Sequence, residues 1–219
     1  MRDEELWGMI EKLTTNGVRI LQFYMFGATE KEHASELLDI MNPPECAEIL
    51  DVGCGIGEVS RLMAEERPDL RFLLLNNSRS QLDACPPEFD KILSDMEAIP
   101  LANECLDVVM VNYALGHTDD VQSAIREFHR VLKPGGVLFI CDMEGQSDGL
   151  KELVNYTTYD DEEMLTLADV FECAYSGQPN KPQEWQLDKV LAFENNETAE
   201  KLKNILSEIR PYVWRFVKT

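Results

Sequence analysis

Three glycines at alternate positions, Gly53, Gly55 and Gly57, follow the short apolar run Glu48-Ile-Leu-Asp-Val and precede a helical stretch, Val59 to Glu66. A strand that empties through such a turn into a helix lets a ligand approach bare backbone, because a side chain there would occupy the ligand's space. A dinucleotide turn would need its third glycine at position 58, where this chain has Glu58, a poor neighbour for pyrophosphate. The plain alternative is a glycine-rich turn with no ligand. A second candidate is the pair His117 and Asp142, each at the end of an apolar run. A carboxylate beside an imidazole fixes its tautomer and raises its basicity, so the imidazole can take a proton from a substrate hydroxyl. The other reading of His117 is packing against a ligand without proton transfer.

These residues need a scaffold. The apolar runs Glu48 to Val52, Arg71 to Asn76, Asp90 to Leu93, Leu106 to Asn112 and Val137 to Asp142 read as buried parallel strands. They alternate with helical stretches such as Val121 to Leu132, and Lys133-Pro-Gly-Gly turns into the fifth run. That order implies βαβ crossovers and a parallel sheet with helices on both faces. Such sheets bind ligands beyond the carboxyl ends of the strands where the strand order reverses, here between the first and fourth strands. Strands four and five are expected to be neighbours, which would bring His117 and Asp142 within reach of each other.

Upstream, Leu6, Met9, Ile10 and Leu13 fall at helical spacing, and a second helix around His33 to Met41 is ended by Asn42-Pro43-Pro44. Between them lies an aromatic segment, Phe23 to Phe26, which reads as core or as part of a lid. After Gly149 the pattern weakens. Asp160 to Ala174 and Thr198 to Ile209 look helical, Lys189 to Phe193 and Pro211 to Lys218 look like strands, and Gly177 to Gln186 is a loop.

The run Ile49-Leu-Asp-Val-Gly-Cys-Gly-Ile-Gly resembles motif I of class I S-adenosylmethionine-dependent methyltransferases, and the resemblance continues from about Glu48 to Gly145. It implies a Rossmann-like α/β three-layer sandwich with a mostly parallel seven-stranded sheet of order 3-2-1-4-5-7-6. It also implies S-adenosylmethionine as methyl donor and S-adenosylhomocysteine as product. By the same resemblance Asp51, Gly53, Cys54, Gly55 and Gly57 would hold the methionine part. Asn76 stands 19 residues after Gly57, where the family usually carries a carboxylate for the ribose hydroxyls. An Asn can bind a hydroxyl without charge assistance, and a scaffold that has drifted from activity is the other explanation. Asn76 with Gln81 five residues later resembles the subgroup that methylates sterols, isoprenoids, polyketides and sugars, and Asn77 and Gln81 would bind the cofactor beside Asn76. Asp95 and Met96 would meet the adenine, Asp95 otherwise capping a helix. Asn112 and Tyr113 would line the cofactor, His117 would stand near the methyl group, and Tyr24 of the lid would close over the sulfonium through cation–π contact.

Composition bounds the function. The 219 residues carry 41 acidic against 20 basic side chains, a net charge of −21, and such a surface repels nucleic-acid phosphates and anionic membranes. The 44% hydrophobic content suits one globular domain spanning 1–219, with a helical lid over 1–45, a cofactor-binding core over 46–145 and a variable substrate side over 146–219. Six scattered cysteines show neither CxxC nor metal-ligand spacing with His, so no metal is expected. The N-terminus lacks an apolar signal region and no run approaches a membrane span, which reads as a cytoplasmic protein. The expected acceptor is a small, apolar or hydroxylated metabolite, and no Arg or Lys cluster near the cleft favours a diphosphate. The alternative is a non-catalytic S-adenosylmethionine-binding scaffold. The short stretch Glu144 to Asp160 leaves the pocket open or completed by a second subunit, as in a homodimer.

Overall fold

The structure, a computed structural model, describes residues 26–27, 29–178, 204 and 208–219. The first helix among these residues, α1 (Glu30–Met41), starts where the Thr29 hydroxyl accepts from the Glu32 N–H and stops at Asn42, left-handed at φ 48°, ahead of two prolines; the helix expected at Leu6 to Leu13 lies outside the described residues. Then follow β1 (Glu48–Val52), α2 (Glu58–Glu66), β2 (Arg71–Asn76), α3 (Arg79–Ala84), β3 (Asp90–Leu93) and β4 (Leu106–Asn112). A 3-10 turn (Leu115–His117) leads to α4 (Val121–Val131), β5 (Leu132–Glu144), α5 (Asp148–Val154), α6 (Asp161–Leu167), β6 (Glu172–Gly177) and β7 (Arg210–Val217).

The strands form a seven-stranded sheet of order β3-β2-β1-β4-β5-β7-β6. Strands β1 to β5 are parallel to one another, while β7 runs antiparallel between β5 and β6. Both faces are covered, so the central strands read as continuous apolar runs. One core layer joins Leu50, Val109, Ile140 and Trp214 to Phe128 of α4 and Met164 of α6. The other joins Ile49, Met110 and Phe139 to Leu37 of α1 and Met63 of α2. The chain direction puts the carboxyl ends of β1, β2, β4 and β5 along one rim, where the glycine turn lies.

The variable third departs from expectation. Helix α6 ends at Leu167, although helical character was expected to Ala174, and Glu172 to Gly177 instead pairs with β7 (Glu172 opposite Val217, Ser176 opposite Trp214). Pairing with β7 imposes extended backbone on residues of weak strand preference. A capping box between Asp160 and Glu163 sets the start of α6. Strand β5 begins five residues before Val137, since Gly135 N–H donates to Lys218 O and Lys218 N–H to Gly136 O across the expected turn. The strand expected at Lys189 to Phe193, Tyr24 and most of the helix expected at Thr198 to Ile209 lie outside the described residues.

Candidate functional site

The glycine turn is tied to the neighbouring strand by the N–H groups of Gly53 and Cys54, both donating to Leu75 O. All three glycines have positive φ (69°, 57° and 75°), but they need to be glycine for different reasons. A Cβ on Gly53 would sit 2.4 Å from Ala114 Cβ, and one on Gly57 would sit 2.9 Å from Leu74 Cδ1. A Cβ on Gly55 would meet nothing within 4 Å. Only Gly55 therefore fits the expectation of bare backbone facing a ligand; Gly53 and Gly57 are bare because protein packs on them. Behind the turn Asp51 is buried, with Ser60 Oγ donating to its Oδ2 at 2.6 Å. Burial pushes its pKa up to about 7, against the opposing effect of the Ser60 hydrogen bond.

At the end of β2 the Asn76 carboxamide is held from both sides: Nδ2 donates to Gln81 Oε1 (2.7 Å) and Oδ1 accepts from Ser78 N–H (2.9 Å). A carboxamide oxygen keeps a second lone pair and its nitrogen a second hydrogen, so a hydroxyl can still be bound. Asn77 is exposed. Asp95 is exposed in the loop after β3, where its Oδ1 accepts from Glu97 N–H, and Met96 packs against the core.

The third part of the site lies beyond β4 and β5. Asn112 is paired with Cys141 in the sheet, and its Oδ1 is buried without a hydrogen-bond partner. Tyr113 adopts φ 50° and donates its N–H to Cys141 O. Asp142 is buried at 4% exposure; its Oδ1 accepts from the Tyr156 hydroxyl and from Met143 N–H, while Oδ2 is enclosed without a partner. Burial raises the Asp142 pKa to about 6 despite the Tyr156 and Met143 hydrogen bonds. His117 is exposed and stands edge-on to the Tyr156 ring, centroids 4.7 Å apart. Tyr156 thus touches both members of the expected pair.

Tyr156 was not legible in the sequence, because it sits in an aperiodic stretch between α5 and α6. Gly116 was the available signal: a Cβ there would come within 2.4 Å of Tyr156 Cε1 and 2.3 Å of Thr157 O, and Thr157 N–H donates to Gly116 O. Glu97 was also missed. Its Oε1 accepts from the Thr118 hydroxyl and from Asp119 and Asp120 N–H, so the loop after β3 fixes the one carrying His117.

The residues present suit S-adenosylmethionine: open space over Gly55, buried Asp51 behind it, the Asn76 carboxamide where the resemblance expects the ribose and the unpartnered Asn112 Oδ1 at the end of β4. The strand order, with this turn on the rim between β1 and β4, is that of the Rossmann-like fold expected from the resemblance to class I S-adenosylmethionine-dependent methyltransferases. Residues 50–140 match the family described as methyltransferase domain. A malonyl-(acyl-carrier protein) O-methyltransferase from Enterobacter lignolyticus is 33% identical over 129 residues, 57% of this chain and 49% of that protein. The UbiE ubiquinone/menaquinone biosynthesis C-methyltransferase from Dinoroseobacter shibae is 21% identical over 154 residues, 65% of this chain and 62% of that protein. The chain spans about half the length of the first of these relatives. Among solved structures, the 4+2 cyclase SpnF superposes with a TM-score of 0.82 at 14% identity, covering 98% of this chain and 94% of the cyclase, a likeness of fold. Among the described residues no helix is long and apolar enough to cross a membrane, and no cluster of three metal-ligating side chains occurs.

Proposed function

We propose that the protein transfers the methyl group of S-adenosylmethionine to an oxygen of a small, uncharged, hydroxylated metabolite, leaving S-adenosylhomocysteine. The open space over Gly55, beside buried Asp51, is the observation that carries this reading. When bound there, S-adenosylmethionine supplies an electrophilic sulfonium methyl. Asn76 binds ribose hydroxyls, and Asp95 with the Met96 backbone takes the adenine. His117 accepts the proton of the attacking hydroxyl as the new carbon–oxygen bond forms. Asp142 is largely ionised above pH 6 and stabilises the imidazolium electrostatically; Tyr156 holds that carboxylate and abuts His117. Alignment and exclusion of water do the remaining work, since methyl transfer asks little else of a protein. The name of the Enterobacter relative, an O-methyltransferase, favours oxygen as the acceptor atom. The net charge of −21 disfavours an anionic acceptor.

The rival reading, a scaffold that binds the cofactor without turnover, is favoured by the uncharged Asn76, whose carboxamide is already engaged by Gln81 and Ser78. Calorimetric titration with S-adenosylmethionine and S-adenosylhomocysteine, with NAD as control, is the first test. Micromolar one-to-one binding of both, with no response to NAD, is expected; silence from all three sinks the cofactor reading. Transfer of labelled methyl to a panel of hydroxylated acceptors then separates enzyme from scaffold. Unchanged turnover in His117→Ala would remove the base while leaving the methyltransferase.

A further inference from the structure

Two thiols meet at the glycine turn. Cys54 Sγ lies 3.6 Å from the carbonyl oxygen of Gly55, and Cys85 Sγ lies 3.4 Å from the same oxygen and 3.4 Å from Gln81 O. The two side chains thus converge on one carbonyl oxygen, although they are 31 residues apart in the chain. Cys85 caps α3 and is buried, whereas Cys54 is partly exposed on the turn. A Cβ on Gly57 would sit 3.5 Å from Cys85 Sγ, so this sulfur lies against the turn's backbone. Gly55 is the residue whose open side carries the cofactor reading.

We propose that Cys54 and Cys85 form an oxidisable dithiol whose disulfide disables the cofactor site. This rests on the reading of the glycine turn as the S-adenosylmethionine site. The environment splits the two thiols: the Cys54 S–H and then the Lys91 ammonium favour the Cys85 thiolate, while the Cys85 contact, burial and Asp51 push the Cys54 thiol up. Lys91 is fixed there by donating to Cys85 O at 2.7 Å. With hydrogen peroxide as oxidant, the Cys85 thiolate attacks one peroxide oxygen and the O–O bond breaks, giving a sulfenic acid and hydroxide, which takes up a proton as water. Cys54 then gives up its proton and attacks the Cys85 sulfur; the S–O bond breaks and a second water leaves. Two thiols and one peroxide become one disulfide and two waters. A sulfur–sulfur bond of about 2 Å requires both sulfurs to turn toward each other. Both S–H donors to Gly55 O are lost, and the turn that must present bare backbone is tethered to the end of α3.

The test uses the full chain. Protein treated with a small molar excess of hydrogen peroxide is digested without reduction and mapped by mass spectrometry. S-adenosylhomocysteine affinity is measured by calorimetry on reduced, oxidised and re-reduced samples. The expected result is a Cys54–Cys85 peptide pair lighter by two hydrogens and at least a tenfold loss of affinity that dithiothreitol restores. Both effects vanish in Cys85→Ser, whose hydroxyl can still donate to Gly55 O, and in Cys85→Ala should the serine variant not fold. Absence of the pair, a pair with unchanged affinity, or the same loss in the Cys85 variants overturns the proposal. Reduced protein that does not bind S-adenosylhomocysteine removes the methyltransferase reading and the gate together. Intact binding without the peptide pair removes the gate alone.

Discussion

Alanine at each of two glycines, Gly53 and Gly55, should separate folding from binding. Both have positive φ, so an alanine at either pays a left-handed backbone cost of roughly 1–2 kcal/mol. At Gly55 nothing else stands in the way, since a Cβ meets no atom within 4 Å. At Gly53 the new methyl would arrive 2.4 Å from Ala114 Cβ, between β1 and the segment after β4 that both help shape the site. Such overpacking adds about 1–3 kcal/mol, for a total of about 2–5 kcal/mol. At about 2–4 °C per kcal/mol for a chain of this size, Gly55→Ala should lower the Tm by roughly 2–8 °C and Gly53→Ala by roughly twice that. The binding order should be the reverse of the stability order. The Gly55 methyl projects into the space assigned to the cofactor, and a loss of at least tenfold in S-adenosylhomocysteine affinity, about 1.4 kcal/mol, is expected in calorimetry. Thermal unfolding and calorimetry on the same preparations give both numbers. A Gly55→Ala protein that binds S-adenosylhomocysteine as tightly as the parent refutes the reasoning, whatever its Tm.

Tyr156→Phe removes a donor from the buried Asp142 carboxylate, whose Oδ2 already lacks a partner, so denaturant unfolding should show a loss of about 1–3 kcal/mol. Its pH–rate profile should also shift to higher pH as the Asp142 pKa rises further; an unmoved profile argues against a role for that carboxylate. His33 is fully buried, its Nδ1 accepting from Phe26 N–H, and burial lowers its pKa to about 4. The unfolded chain takes up that proton near pH 6.5, so His33 contributes stability above pH 6.5 that is lost as pH falls to 4, on the order of 3 kcal/mol. Urea unfolding of His33→Gln at pH 7.5 and 4.5 should show that this part of the acid sensitivity has gone. Asp51 acts in the opposite sense. With a folded pKa of about 7, it costs stability that sets in as pH rises from 4 through 7, so Asp51→Asn should stabilise the protein at pH 8, by up to about 4 kcal/mol, and have little effect at pH 4. Destabilisation by Asp51→Asn at pH 8 would contradict the assigned burial cost.

The sheet was legible because parallel strands covered on both faces leave uninterrupted apolar runs, and the runs at Glu48, Arg71, Asp90 and Leu106 begin and end in the structure where they do in the sequence. Strand β6 was not. Glu172-Cys-Ala-Tyr-Ser-Gly alternates weakly and is half exposed at the sheet's edge, and the helical spacing of Met164, Ala168 and Phe171 runs straight into it. Its conformation comes from β7, more than 30 residues downstream, which no local window contains. The expected KPGG turn failed for a related reason: Gly135 and Gly136 complete their hydrogen bonding against Lys218, so a stretch that reads locally as a turn is held as strand.

The same division runs through the candidate site. The residues proposed for its cofactor side lie in contiguous stretches, a strand with its glycine turn and the Asn76 to Gln81 segment, which residue type and spacing could single out. The proposed acceptor side joins segments that share no local pattern: Gly116 to His117 after β4, Asp142 at the end of β5, and Tyr156 beyond α5. His117 and Asp142 could be read as a pair because neighbouring strands end there. The phenol that touches both could not, because its place depends on Gly116 leaving room for a ring 40 residues away. Function on a shared fold is changed mainly through the loops that its rigid elements position. On the proposed function, the segment from Ser147 to Asp160, which carries Tyr156, is the place to alter acceptor preference. Gly116→Ala should lift Tyr156 and the Thr157 carbonyl off the His117 turn, and its effect should appear in the acceptor KM and kcat while S-adenosylhomocysteine affinity stays within about twofold of the parent's, since the nearest atoms a Gly116 Cβ would meet belong to Tyr156 and Thr157. An equal loss of cofactor affinity would mean that the two ends of the site are one packed unit.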